Sequence, residues 1–285
     1  MEKYDINELP LIAEGGEANI YDLGDGKVLR ILRNPKGRSF RVEKHLFPFL
    51  KEHDICIPSV YEYIENEKMT AMVMQKITGT TMLDQLKRHP FQMIDEIKKF
   101  TTMHAQLLSL HSKCKLYSIH EVVNRFAMQA FPIDEKLVDF ALNLLKEFPD
   151  DDYICHADFH PGNVLIQNNC YYIIDWGAAY HGNYVSDIAH TYLLMTNVPT
   201  LTGQRGLQHA VITCIGRIMA KTYLSQMLKL KKFNLSDFSK WTVIMALKRA
   251  YYGLPSEKAA RIKYINQCHE CNIKGIDSAT WYKYL

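Results

Sequence analysis

Between Cys155 and Gly177, two short apolar runs flank a polar corner. Val164-Leu165-Ile166 precedes Gln167-Asn168-Asn169, and Tyr171-Tyr172-Ile173-Ile174 follows it. Short runs of β-branched and aromatic residues around an Asn-Asn turn are a β-hairpin signature. Closing that hairpin brings the start of its first strand beside the end of its second, the places held by Asn163 and Asp175. Facing residues of an antiparallel pair lie roughly 4.5–5.5 Å apart, so one ion can touch both side chains. Asp158 falls on the loop just before, where Pro161 and Gly162 shape the turn into the strand.

Asn163 offers a neutral oxygen and Asp175 a charged one. Both are hard donors that suit Mg²⁺, an ion that usually keeps waters and substrate phosphates in its shell. Asp158 adds a second carboxylate able to orient an attacking hydroxyl or accept its proton. Phosphoryl transfer needs this division of labour, together with a loop and a cation for the phosphates. Candidates for both stand near the N-terminus. Gly15 and Gly16 lie between the runs Leu11-Ile12-Ala13 and Ala18-Asn19-Ile20-Tyr21, and Val28-Leu29-Arg30-Ile31-Leu32 reads as a strand with one inward cation. A loop without large side chains lets backbone N–H groups approach phosphates, and Arg30 suits bidentate pairing with their oxygens. Glu43, in the helical stretch Phe40–Leu46, is placed to hold Arg30. By itself the two-glycine loop is a weak signal, since two glycines also suit an ordinary hairpin turn.

Together these residues resemble the aminoglycoside phosphotransferase and choline kinase family, a branch of the protein-kinase-like superfamily. The resemblance rests on His156-x-Asp158, Asn163 and Ile174-Asp175-Trp176, and runs from about Ile12 to the helices after Asp187. It implies an α+β, two-lobed protein-kinase-like fold, with a small strand-rich N-terminal lobe and a larger, mainly helical C-terminal lobe. It implies Asp158 as the catalytic base, His156 as support for the catalytic loop, and Asn163 and Asp175 as Mg²⁺ ligands. Arg30 falls where the family places its phosphate-pairing cation and Glu43 where it places the ion-pair partner. Ala71–Gly79 resembles the last strand of the small lobe and the hinge, so backbone groups of Gln75 and Ile77 are expected to hydrogen-bond the base of ATP or GTP. Met103–His111 resembles the family's long helix, and Asp187 the residue that braces the catalytic loop.

This sequence departs from the family after Asp175, where Asn183 and Tyr184 replace an Asp-Pro pair, and at Arg30, which is not interchangeable with Lys. The first departure bears on the acceptor. Nine Lys or Arg against two acids between Gln226 and Lys263 suit a polycationic acceptor poorly. Trp176, Tyr180 and Tyr184 are candidates for an aromatic wall around a quaternary amine or a ring.

Composition agrees with a globular enzyme. The chain has 285 residues, 47% hydrophobic and 23% charged. A net charge of +3 is too small to indicate nucleic-acid binding. No run approaches the roughly 18 apolar residues of a membrane span. No apolar signal core opens the sequence, and seven cysteines without a framework suit a reducing cytoplasm. The expected division is a nucleotide-binding lobe over 1–79 and a helical lobe over 80–285 that carries the hairpin and the acceptor site. Helices are expected near 38–52, 97–111, 137–145, 205–230, 235–252 and 256–269. His104 and His111 read as core-facing positions of one helix. His156 and His160 lack the second pair that structural zinc requires, and Cys268-His269-Glu270-Cys271 is a lone CxxC on a helix end.

The function expected is transfer of the γ-phosphate of ATP or GTP to a small hydroxylated metabolite, with no nucleic-acid or membrane partner. An aminoglycoside or macrolide acceptor is the first alternative. A protein kinase is disfavoured by the short path from Asp175 to Asp187, and a catalytically silent nucleotide-binding or scaffold protein by the intact Asp158, Asn163 and Asp175.

Overall fold

The computed structural model describes residues 4–33, 39–66, 69–111, 114–129, 133–196, 206–253 and 255–285. The chain begins with β1 (Leu11–Glu14), β2 (Ala18–Gly24), β3 (Lys27–Leu32), α1 (Arg41–Glu52), β4 (Val60–Glu65) and β5 (Thr70–Gln75). β6 (Thr80–Thr81), α2 (Met82–Arg88), α3 (Met93–Leu107), α4 (Ile119–Ala127) and α5 (Glu135–Leu145) follow. Next come β7 (Tyr153–Cys155), β8 (Val164–Gln167), β9 (Cys170–Ile173) and β10 (Tyr180–Gly182). Four helices complete it: α6 (Tyr184–Thr196), α7 (Gly206–Leu230), α8 (Leu235–Tyr252) and α9 (Pro255–Ile273). The expected helices are all found, because their apolar positions recur at helical spacing and caps mark several starts. Ser118 and Glu121 form a capping box on α4, and Asp134 and Asn234 cap α5 and α8. Arg38 and Arg205, at two expected helix starts, lie outside the described residues.

Two compact units emerge, Met1–Gln85 with Gly162–Gly177 and Leu86–Pro161 with Ala178–Leu285. The first holds a five-stranded antiparallel sheet in the order β1-β2-β3-β5-β4 and a three-stranded sheet β6-β8-β9. Ala18, Leu32, Phe40 and Met72 fill one side of its core, and Leu29, Ala71 and Val73 the other. The hairpin closes at Asn168 and Asn169, both with positive φ (52° and 61°), as the primed two-residue turn requires. It belongs with this unit rather than with the helices, as the 79/80 boundary had it. Thr80 and Thr81 pair with Ile166 and Leu165, and the Ile173 N–H donates to the Cys56 carbonyl at 2.9 Å.

The second unit is helical apart from the β7-β10 pair. α8 is buried on nearly all sides, including at Lys248 and Arg249. Mixed α+β architecture, with a strand-rich N-terminal unit and a larger helical one, is therefore as expected. Among the described residues no helix is long and apolar enough to cross a membrane. His111 departs from expectation: it lies past the end of α3, exposed, and pairs with Asp152.

Candidate active site

In the N-terminal unit a cavity of about 470 Å³ is lined by the Gly15–Gly16 turn, Arg30, Met72, Met74, Gln75, Ile77, Asn163 and Asp175, among others. That size is typical of small-ligand sites. The glycine turn is closed by the Gly15 N–H donating to the Ala18 carbonyl at 2.9 Å. A Cβ at Gly16 would meet nothing within 4 Å, so this side of the loop is open.

Arg30 and Asp175 meet directly. The Arg30 guanidinium donates to Asp175 Oδ1 at 2.8 Å and to Glu43 Oε1 at 3.4 Å. Glu43 is buried in the first turn of α1, and burial pushes its carboxyl up against the opposing pull of Arg30. The expected Arg30–Glu43 pair is thus formed, with Asp175 as an added partner. Hairpin register differs by one residue from the simple picture. Val164 faces Ile173, and the Ile174 N–H donates to the Asn163 carbonyl at 3.0 Å, so Ile174 stands opposite Asn163. Asp175 follows in the left-handed region (φ 65°), which redirects the chain after the strand ends. Gln75 and Ile77 both line the cavity, but the Gln75 N–H is engaged by the Ser59 carbonyl at 2.7 Å, which removes that donor from a base.

In the helical unit, Asp158 sits on a loop fixed from beneath. Asp187, wholly buried near the start of α6, accepts from the His156 and Ala157 N–H groups at 2.7 and 2.9 Å. His104 Nε2 is 3.1 Å from the same carboxylate, and its Nδ1 is 2.7 Å from the Tyr223 hydroxyl. Burial works against the Asp187 charge, but the His104 hydrogen bond and the nearby histidines outweigh it and hold its carboxyl at about 2. Ala157 is left-handed (φ 70°), an uncommon state for a residue with a Cβ. Its N–H bond to Asp187 holds it there. His156 is buried, and its Nδ1 accepts from the Asp158 N–H at 3.2 Å. The Asp158 carboxylate lies 3.6 Å from His160 Nε2. Burial raises its pKa, but His160, then His190 and His156, overcome this and keep it well below the usual carboxylate range.

The aromatic wall is not where the sequence suggested. Trp176 and Tyr180 are wholly buried; their polar atoms bond the Ile173 carbonyl and Ser186 Oγ, and neither presents a surface to an acceptor. Tyr184 is half-buried, and its hydroxyl donates to the Lys232 carbonyl at 2.5 Å. Sequence reasoning also assigned His104 only to the core and considered His160 only for zinc. His160 stood two residues from Asp158 within the motif, whereas nothing local linked His104 to Asp187. Among the described residues, no group of three or more His, Cys, Asp or Glu is placed to hold a metal.

Residues 8–211 match the model of the phosphotransferase enzyme family. The chain belongs to that family. Among solved structures this phosphotransferase is similar to an aminoglycoside phosphotransferase in ternary complex with ADP and hygromycin B (TM-score 0.65, 16% identity, 92% of this chain and 94% of that one). It is also similar to a choline/ethanolamine kinase family protein from Mesorhizobium loti (0.62, 12%, 96% and 92%). A third likeness is to a macrolide 2'-phosphotransferase from Brachybacterium faecium (0.53, 14%, 92% and 93%). At these identities the likeness establishes a shared fold. No curated protein matches by sequence.

Proposed function

We propose that this phosphotransferase moves the γ-phosphoryl group of ATP or GTP to a hydroxyl of a small metabolite, such as an amino alcohol, sugar or vitamin. The observation that carries the reading is that Arg30, Asp175 and Asn163 line the same cavity as an open glycine turn. A cation and hard oxygen donors are gathered where backbone N–H groups can cradle phosphates. Asn163 and Asp175 would hold Mg²⁺. Two protein oxygens without a closed cage fit an ion whose other positions are filled by water and phosphate. When bound, the ion neutralises charge on the phosphates.

The chain's own residues supply the rest. Arg30 would pair with phosphate oxygens, held by Glu43. Asp158, ionised at neutral pH, would accept the acceptor's hydroxyl hydrogen and aim its oxygen. A strongly depressed carboxylate is a weak base, so its contribution is mainly orientation, which suits a loose transfer transition state. A cytoplasmic setting accords with seven cysteines that form no disulfide.

Thermal stabilisation by ATP and by GTP, with and without Mg²⁺, tests this reading, because a ligand that binds the folded state raises the melting temperature. A Mg²⁺-dependent shift that disappears in Asp175→Asn is expected. Asp158→Asn should keep that shift while losing roughly two or more orders of magnitude in turnover. Absence of any nucleotide shift, or unchanged turnover in Asp158→Asn, overturns it.

A further inference from the structure

The C-terminal turn of α8 carries cations that the phosphotransfer reading leaves without work. Lys248 is 3% exposed, and among the described residues its ammonium has no hydrogen-bond partner. It lies over the rings of Tyr180 and Tyr252, 5.2 and 5.4 Å from their centres. Two ring faces return only part of the hydration that an ammonium loses on burial. Arg249 and Arg261, also buried, share one carboxylate. Glu257 accepts from Arg249 Nε at 3.2 Å and lies 3.6 Å from Arg261. Lys248, the residue before Arg249, is a third buried cation, and among the described residues no carboxylate hydrogen-bonds it. A helix C-terminus favours cations, yet no described carbonyl is within reach of the Lys248 ammonium.

These cations connect to the catalytic loop through a short chain of contacts within the same unit. Thr191 Oγ1 donates to the carbonyl of Phe159, the residue after Asp158. His190, beside Thr191, has Nε2 3.3 Å from the Tyr252 hydroxyl. The Tyr252 ring in turn covers Lys248 and, at 5.6 Å, Arg249. His190 Nδ1 is a second wholly buried polar atom with no partner among the described residues. Burial, then Lys248 and Arg249, push the His190 pKa well down. Tyr252, whose ring covers Lys248, is itself exposed.

We propose that the acceptor carries an anionic group, a carboxylate or a phosphate, that pairs with the Lys248 ammonium beside His190 and Arg249 while its hydroxyl reaches Asp158. This rests on the phosphotransfer reading. An oxyanion would give Lys248 the partner it lacks, whereas a polycationic acceptor would meet like charge.

The test compares acceptors that differ only in charge. Wild-type protein with Mg²⁺ and ATP is assayed on hydroxycarboxylates such as glycerate, on hexose phosphates, on neutral glycerol and hexoses, and on cationic choline and kanamycin. An anionic arm is expected to exceed its neutral counterpart in kcat/KM by roughly tenfold or more, and which arm does so separates carboxylate from phosphate. Lys248→Met should raise KM for that acceptor roughly thirtyfold with a smaller change in kcat, while Lys248→Arg recovers part of the loss. Should Lys248→Met fail to fold, the wild-type comparison decides. Neutral or cationic acceptors that match the anionic ones overturn the proposal, as does failure of every anionic member. If Mg²⁺-dependent nucleotide stabilisation persists in that case, only the anionic acceptor falls; if it is absent, the phosphotransfer reading falls with it.

Discussion

Asp187→Asn removes the charge on which the loop carrying Asp158 rests. Both carboxylate oxygens are used, one by the Ala157 N–H and the other by the His156 N–H and His104. An amide must turn its NH₂ toward one set, so at least one donor faces a donor. Hydrogen bonds to a charged group contribute about 1.5–3 kcal/mol each, and breaking a buried charged pair costs about 3–5 kcal/mol. The depressed pKa of Asp187 gives a second figure. The Asp187 carboxyl is held at about 2 against an ordinary 3.8. At about 1.4 kcal/mol per pH unit, that places roughly 2.5 kcal/mol on the ionised form. Between them the two figures put the loss at about 3 kcal/mol at pH 7. The sign follows from a depressed folded pKa: the stabilisation is full above about pH 4 and is lost as pH falls through that of the folded state. Urea unfolding of wild type and variant at a series of pH values measures both. The gap should be about 3 kcal/mol at neutral pH, equivalent to roughly 6–12 °C in melting temperature, and should narrow as pH falls below about 4. A gap under about 1 kcal/mol at neutral pH, or one that does not change with pH, would refute the reasoning.

Two further predictions concern the N-terminal unit. Arg30→Met leaves the buried Glu43 without its cation and should cost about 3–5 kcal/mol, part of which a second change, Glu43→Gln, recovers. A denaturation double-mutant cycle measures this, and additive effects would contradict the pairing. Gly79→Ala drives a Cβ into the Ile166 carbonyl on the hairpin and should destabilise by about 1–3 kcal/mol, whereas Gly16→Ala, whose Cβ meets open space, should stay within about 0.5 kcal/mol. Equal melting temperatures for the two glycine variants would show that the hairpin yields freely.

Local sequence determined a great deal here. Helical spacing marked α3, α5, α7, α8 and α9, and the apolar runs around Asn168-Asn169 marked the hairpin. Asp158, Asn163 and Asp175 were legible because their spacing along a loop and hairpin is itself the signal. Arg30 read as the one inward cation of its strand, and its pairing with Glu43 followed from the family resemblance. Tertiary structure decided what spacing does not encode. It closed the hairpin one residue out of the simple register and turned Asp175 into the left-handed region, where Arg30 reaches it. It buried Trp176 and Tyr180, which composition alone offered as an acceptor wall. It brought His104, 83 residues away in sequence, onto Asp187, and sank Lys248 beneath two tyrosine rings on a helix whose basic residues would ordinarily face water. Periodicity reports which face of an element is apolar, but the partner of a buried charge is chosen by which elements pack together, and that information lies in contacts distant along the chain.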